Sequence, residues 1–168
     1  EIYLSMTQAY NTFLAQDYCS VAPDRLIGNG VVPVSGIEDA ISEMKRCKEM
    51  GLKSMCLLNF PNGGGEPNAK EDDRFWQASI DIGMRLSPHG GFGARTTPVD
   101  GMNPDLAAVL GGNVGAMSGM YSMSQLIATG VFDRFPDLKF HFAETNAGWM
   151  AFTFFKMDDD YQIMKEAA

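Results

Sequence analysis

Three side chains in this chain of 168 residues stand where chemistry can be done: Asn59, His89 and Glu144. Each ends an apolar run that reads as a β-strand, and in β/α proteins ligands bind at the carboxyl ends of the strands. His89 precedes Gly90-Gly91-Phe92-Gly93, where glycines let the backbone bend sharply and a ligand come close. A neutral imidazole there suits a divalent metal or a polarised carbonyl. The alternative is a loop histidine bonded to nearby backbone. Glu144 ends the run Leu138-Lys139-Phe140-His141-Phe142-Ala143. A carboxylate in that place can act as general base, bind a metal, or hold a neighbouring histidine in one tautomer. It can equally cap the following helix, where the dipole favours an acid. Asn59 can contact a substrate or a metal's shell, or form a turn.

The elements that position these residues are legible from periodicity. Residues 2–17 carry Met6, Tyr10, Phe13 and Leu14 at helix spacing. Residues 25–34 read as a strand ending at Pro33. Ser35 and Glu38 then have the spacing of a capping box. The helix that follows puts Ile37, Ala40, Ile41, Met44 and Cys47 on one face and stops at Gly51. A strand over 53–60 leads into a polar loop, 62–68, and a helix at about 72–83 leads into Met84–His89. A loop over 90–103 precedes helices at roughly 104–112 and 116–134. A strand at 138–144 and a helix from about 147 complete the pattern. Strands alternate with helices four times, which predicts βαβ units, a parallel sheet and one domain over 1–168.

Other motifs read as structural. Counting back by two from Glu144 turns Phe142 and Phe140 inward and His141 toward the outer helices. Gly63-Gly64-Gly65 lacks the Gly-Lys-Ser/Thr ending of a phosphate loop and reads as a flexible loop over the site. Met117, Met120 and Met123 mark a buried helix face.

Composition excludes several classes. With 13 basic and 21 acidic residues the net charge is −8 and no basic stripe appears, so nucleic acid is not expected as a partner. No apolar run approaches the roughly 20 residues that span a bilayer. Cys19, Cys47 and Cys56 show no paired spacing and read as buried reduced thiols of a cytoplasmic protein. The chain opens in mid-periodicity on Glu1, which reads as an internal cut through a longer protein.

In sequence order, Asp24-Arg25-Leu26 begins a strand that ends at Val32-Pro33, and Glu43 and Arg46 precede Met50-Gly51-Leu52-Lys53. Ile82-Gly83-Met84-Arg85-Leu86-Ser87-Pro88-His89 comes next, then Gly130 to Asp137, then Trp149 through Met157-Asp158. Together these segments resemble the amidohydrolase-related family, in the branch that includes aminocarboxymuconate-semialdehyde decarboxylase and the resorcylate decarboxylases. The segment 130–158 is the most specific, resembling the family's G-x-F-x-R-F-P-D-L and G-W…R-M-D patterns. The resemblance implies a (β/α)8 barrel of which this chain is an incomplete part, about strands three to six. It implies a divalent metal, usually zinc with manganese as a variant, held in part by His89. The first-strand His-x-His or Glu-x-His motif would lie upstream of Glu1 and the ligating aspartate beyond Ala168. Glu144 stands where many members carry a catalytic histidine, and one large branch carries glutamate.

The function implied is a metal-dependent hydrolase of a small, carboxylate-bearing substrate, acting through a metal-activated water. His89 would hold the metal, Glu144 would move a proton or orient the water, and Asn59 would contact substrate. Non-oxidative decarboxylation of an aromatic or unsaturated acid is the alternative on the same scaffold; it needs a proton donor, and a glutamate is already ionised near neutral pH unless desolvated. A third reading, from another class, is a truncated, non-catalytic fragment. A half-barrel exposes strand edges and an apolar face, so a homo-oligomer or the remainder of the barrel is expected as partner.

Overall fold

The computed structural model describes residues 1–62, 70–90, 92 and 117–167. The expected glycine loop at 63–65, most of the loop over 90–103 and the helix at 104–112 lie outside the described residues.

A parallel sheet organises the chain. Its strands are β1 (Asn29–Val31), β2 (Ser54–Leu57) and β3 (Arg85–Pro88), hydrogen-bonded in that order. Gly30 pairs with Met55 and Met55 with Leu86. Residues 139–143 run parallel along β3 as a looser fourth segment. The Leu86 amide donates to Lys139, and the His141 and Ala143 amides donate to Leu86 and Pro88, at 2.8–3.0 Å. The expected strand at 138–144 therefore exists as an edge, with a formal bridge only between Leu86 and Phe140.

The helices are α1 (Ile2–Phe13), α2 (Ile37–Glu49), α3 (Asp73–Ile82), α4 (117–128), α5 (Val131–Arg134) and α6 (Trp149–Ala167). α1 runs on through a π-helical turn, Leu14–Tyr18, as the expected helix over 2–17 requires. α2 buries Ile37, Ala40, Met44 and Cys47 against the sheet and ends before Gly51, whose φ of +93° suits glycine. The expected capping box does not form. Gly36 is the residue before the helix, Ser35 donates to Asp39 at 2.6 Å, and Glu38 reaches across to Arg74 of α3 instead. The expected strand over 25–34 shrinks to three residues because the amides of Arg25 and Leu26 are spent in a turn on the Ala22 carbonyl. The expected helix over 116–134 breaks at Gly130, with φ +68°, into α4 and α5.

Two expectations about faces are corrected. Gly30, Met55, Leu86 and Phe140 share one register line. That face carries the core: Met55 and Leu86 are fully buried with Met44 and Cys47 of α2, and the Phe140 ring lies 5.8 Å from Trp76 of α3. Phe140 thus faces the helices, and the alternation of a strand turns His141 to the other face, with Ser87 and Cys56. Counting back from Glu144 fails because Glu144 has φ +54°, so the alternation is already broken there. On α4 the buried residues are Ser118, Gly119, Ser122 and Leu126, whereas Met120 and Met123 are half-buried and Met117 is exposed. Phe92 and Thr145 approach that helix closely, and only small side chains leave them room.

A buried polar network joins α1, α2 and β1. Asn11 accepts from the Val31 amide at 2.7 Å and donates to the Val31 carbonyl at 2.9 Å and to Glu43 at 2.8 Å. Arg46 closes the network on Glu43 at 2.7 Å. Burial pushes the Glu43 carboxyl upward, but the hydrogen bonds from Arg46 and Asn11 and the Arg46 charge outweigh it and hold the group below its ordinary value. A depressed carboxylate contributes stability above its unfolded pKa, about 4.3, and loses it as pH falls through the lower folded value. The stability gap between wild type and Glu43→Gln, measured by urea titration, is therefore expected to be constant from pH 7 to 5. Below about pH 4.3 it should narrow. A gap that widens on acidification would contradict the network's charge state.

Candidate active site

His89 leaves β3 at its carboxyl end. Its amide donates to the Leu57 carbonyl at 3.1 Å, so the ladder with β2 continues through it. The turn after it is pinned by Phe92, whose amide returns to the His89 carbonyl at 2.9 Å. The Phe92 ring is buried 4.6 Å from Phe60, and its carbonyl accepts from Ser122 of α4. The imidazole is thus carried on fixed backbone, half-exposed at 38 %. Its Nδ1 lies 3.3 Å from the Gly90 carbonyl. A proton on Nδ1 would be directed there, leaving the Nε2 lone pair free.

That free nitrogen meets Glu144. His89 Nε2 and Glu144 Oε2 are 3.3 Å apart, although 55 residues separate them in sequence (144 − 89). The strand-end rule therefore brings both expected residues to one rim. Two electron-pair donors at this distance share either a proton or a cation. The gap is also about the separation of two ligands on one tetrahedral zinc, ~3.3–3.5 Å from the usual bond lengths. The donor set fits one wall of a metal site. Zinc is held firmly by about three protein ligands, and among the described residues no cluster of three or more His, Cys, Asp or Glu side chains converges.

Below the pair the rim is polar. Ser87 lies two residues before His89 and so on the same face of β3. It is buried, and its hydroxyl has no hydrogen-bond partner among the described residues. The period of two from His89 could have found it in the sequence. Its register neighbour Cys56 is a buried thiol pushed upward by burial, which disfavours the thiolate a metal would need. All three cysteines are free and buried; burial, then the neighbouring Glu43 charge, pushes Cys47 up to about 12.

Asn59 follows β2 at the same end of the sheet. It is exposed, and its Oδ1 accepts from the Phe60 amide at 2.9 Å, a turn-forming bond that leaves its amide N–H groups outward. Glu144 does not cap α6 from within the helix, which starts at Trp149. Its own backbone is left-handed at φ +54° and that of Asn146 at φ +56°. Asparagine tolerates this region; glutamate there costs of order 1–3 kcal/mol.

Comparison with known proteins agrees with this architecture. The family model described as amidohydrolase matches residues 4–167. A sequence search of curated proteins finds no match. Among solved structures, a Staphylococcus aureus protein superposes with a TM-score of 0.75 at 20 % identity, covering 93 % of this chain and 52 % of that one. An amidohydrolase from Mycobacterium avium subsp. paratuberculosis gives 0.70 at 18 % identity, covering 97 % and 43 %. The 5-carboxyvanillate decarboxylase of Novosphingobium aromaticivorans, crystallised with bound manganese, gives 0.74 at 24 % identity, covering 97 % and 46 %. The chain spans about half the length of the solved structures it matches.

Proposed function

Because the chain belongs to the amidohydrolase family, we propose that the protein carrying it is a metal-dependent hydrolase of a small, carboxylate-bearing organic substrate that works through a metal-activated water. The observation that carries this reading is the convergence of His89 and Glu144 at the sheet's carboxyl rim. The four parallel segments would be strands three to six of an eight-stranded barrel, with further ligands coming from outside this chain.

In that frame His89 Nε2 would hold zinc or manganese. A divalent metal, when bound, supplies a water acidic enough to ionise near neutral pH. The residues of this chain do the remaining work. The Gly90 carbonyl can accept from His89 Nδ1. Glu144, 3.3 Å from the imidazole, would act as the general base, accepting a proton at its carboxylate. Asn59 offers its amide N–H groups to the substrate, because its oxygen is already engaged. The buried Ser87 hydroxyl gives a polar floor. The cytoplasm is the compartment we assign, from three cysteines that stay reduced. The remainder of the barrel, or a second copy, is the protein partner.

Non-oxidative decarboxylation is the second reading. It is favoured by the similarity to a manganese-containing decarboxylase, and would use the same His89 and Glu144. One assay separates the two. The protein carrying this chain, loaded with manganese or zinc, is offered hydroxybenzoates with detection of carbon dioxide, and in parallel a panel of lactones and amides. Hydrolysis without carbon dioxide release is the expected result. Carbon dioxide release moves the assignment to the lyase, and inertness of the loaded protein toward both panels removes the pair. The 168-residue chain by itself, a single wall of the site, is expected to be the non-catalytic fragment.

A further inference from the structure

We infer that Thr145 is the positioning residue of this site, clamping the left-handed turn that aims Glu144 at His89; this rests on the reading of Glu144 given above. The contact with His89 cannot position Glu144 by itself. The carboxylate side chain is 76 % exposed, and exposed pairs contribute little. The backbone around it is nevertheless held in a sparsely populated conformation at both Glu144 and Asn146, so something between them must impose it.

Thr145 lies between those two residues and, unlike either, is 1 % exposed. Its side chain fills the space beside Gly119 of α4. A Cβ added at Gly119 would lie 2.6 Å from Thr145 Cβ and 2.8 Å from its Oγ1. Glycine is a poor helix former, and the room Gly119 leaves in the first described turn of α4 is the room Thr145 occupies. The second anchor comes from α6, where the Trp149 indole N–H donates to the Thr145 carbonyl at 2.7 Å. The Trp149 ring itself packs on Phe142, 6.3 Å away. Side chain and carbonyl of one buried residue are thus tied to two different helices. The peptides on either side turn left-handed, and the Glu144 carboxylate is delivered to the rim.

The test uses the protein carrying this chain and a readout that needs no substrate: the cross-peak between the His89 ring protons and the Glu144 side-chain protons in a nuclear Overhauser spectrum. Gly119→Ala should abolish the cross-peak. Trp149→Phe, which removes the indole hydrogen bond and keeps an aromatic ring beside Phe142, should weaken it, and Thr145→Ser should keep it. Once a substrate is found, Gly119→Ala should lower kcat by about 10²-fold with little change in KM, the loss expected when a reacting group is misplaced by about 1 Å. If Gly119→Ala fails to fold, Trp149→Phe carries the test. Retention of the cross-peak and of kcat in the folded variants overturns the clamp, while an inactive Glu144→Gln leaves the Glu144 reading standing. A fully active Glu144→Gln overturns that reading, and the clamp's role in catalysis with it.

Discussion

Replacing His89 with alanine is expected to strip divalent metal from the protein that carries this chain and to reduce turnover by about 10²-fold or more. Loss of a residue that merely orients a ligand costs about 10–100-fold in affinity or activity, and His89 is assigned the ligand itself. Its backbone is held by β2 through Leu57 and by the buried Phe92 turn. The substitution should therefore leave the fold intact, since a half-exposed imidazole adds little to the core. Elemental analysis of the purified variant is the deciding measurement. Metal content equal to wild type would remove the central assignment, whatever happened to the rate. The companion Glu144→Gln should behave differently. It keeps the side chain's shape and one oxygen beside His89, so metal should stay while turnover falls. That contrast separates holding the metal from moving the proton.

The second large effect is on stability. Glu43→Ala should lower the free energy of unfolding by about 3 kcal/mol, the low end for removing one partner of a buried ion pair. The low end applies because the Arg46 side chain keeps 33 % of its exposure, so its abandoned charge can reach water. Asn11 cannot follow: it is fully buried, and its amide would lose the Glu43 acceptor. The loss should appear as a lower urea midpoint at an unchanged denaturant slope. A change of less than about 1 kcal/mol, the value of a surface pair, would show that the network is solvated.

The chain's large-scale order was legible because it rests on periodicity. α2 announces its buried face through Ile37, Ala40, Met44 and Cys47, and each β-strand follows a helix as a parallel sheet requires. The convergence of His89 and Glu144 followed from one topological rule, that strand ends in a β/α protein share a rim. What was not legible was set by tertiary contact. Ser35 lost its capping role because Arg74, far along the chain, drew Glu38 away. The Met117 face of α4 turned outward because Phe92 and Thr145 needed the small residues of the opposite face. The inward face of the fourth segment was misjudged because a positive φ at Glu144 shifts the parity, and no composition rule marks a glutamate as left-handed. Thr145 carried no signal at all, since a threonine between two polar residues looks like surface until a glycine on another helix is seen to make room for it.

Asn11 has a consequence for how the protein behaves when it is stressed. Its one side-chain amide takes both the N–H and the C=O of Val31, the two bonds that an adjoining strand would make. The flank of β1 is thereby blunted against strand addition at that point, much as a pro-rich or charged flank would be. The guard is itself held by Glu43 and Arg46. In the 168-residue chain by itself, losing that charged pair would uncover this flank to intermolecular pairing as well as loosen the core.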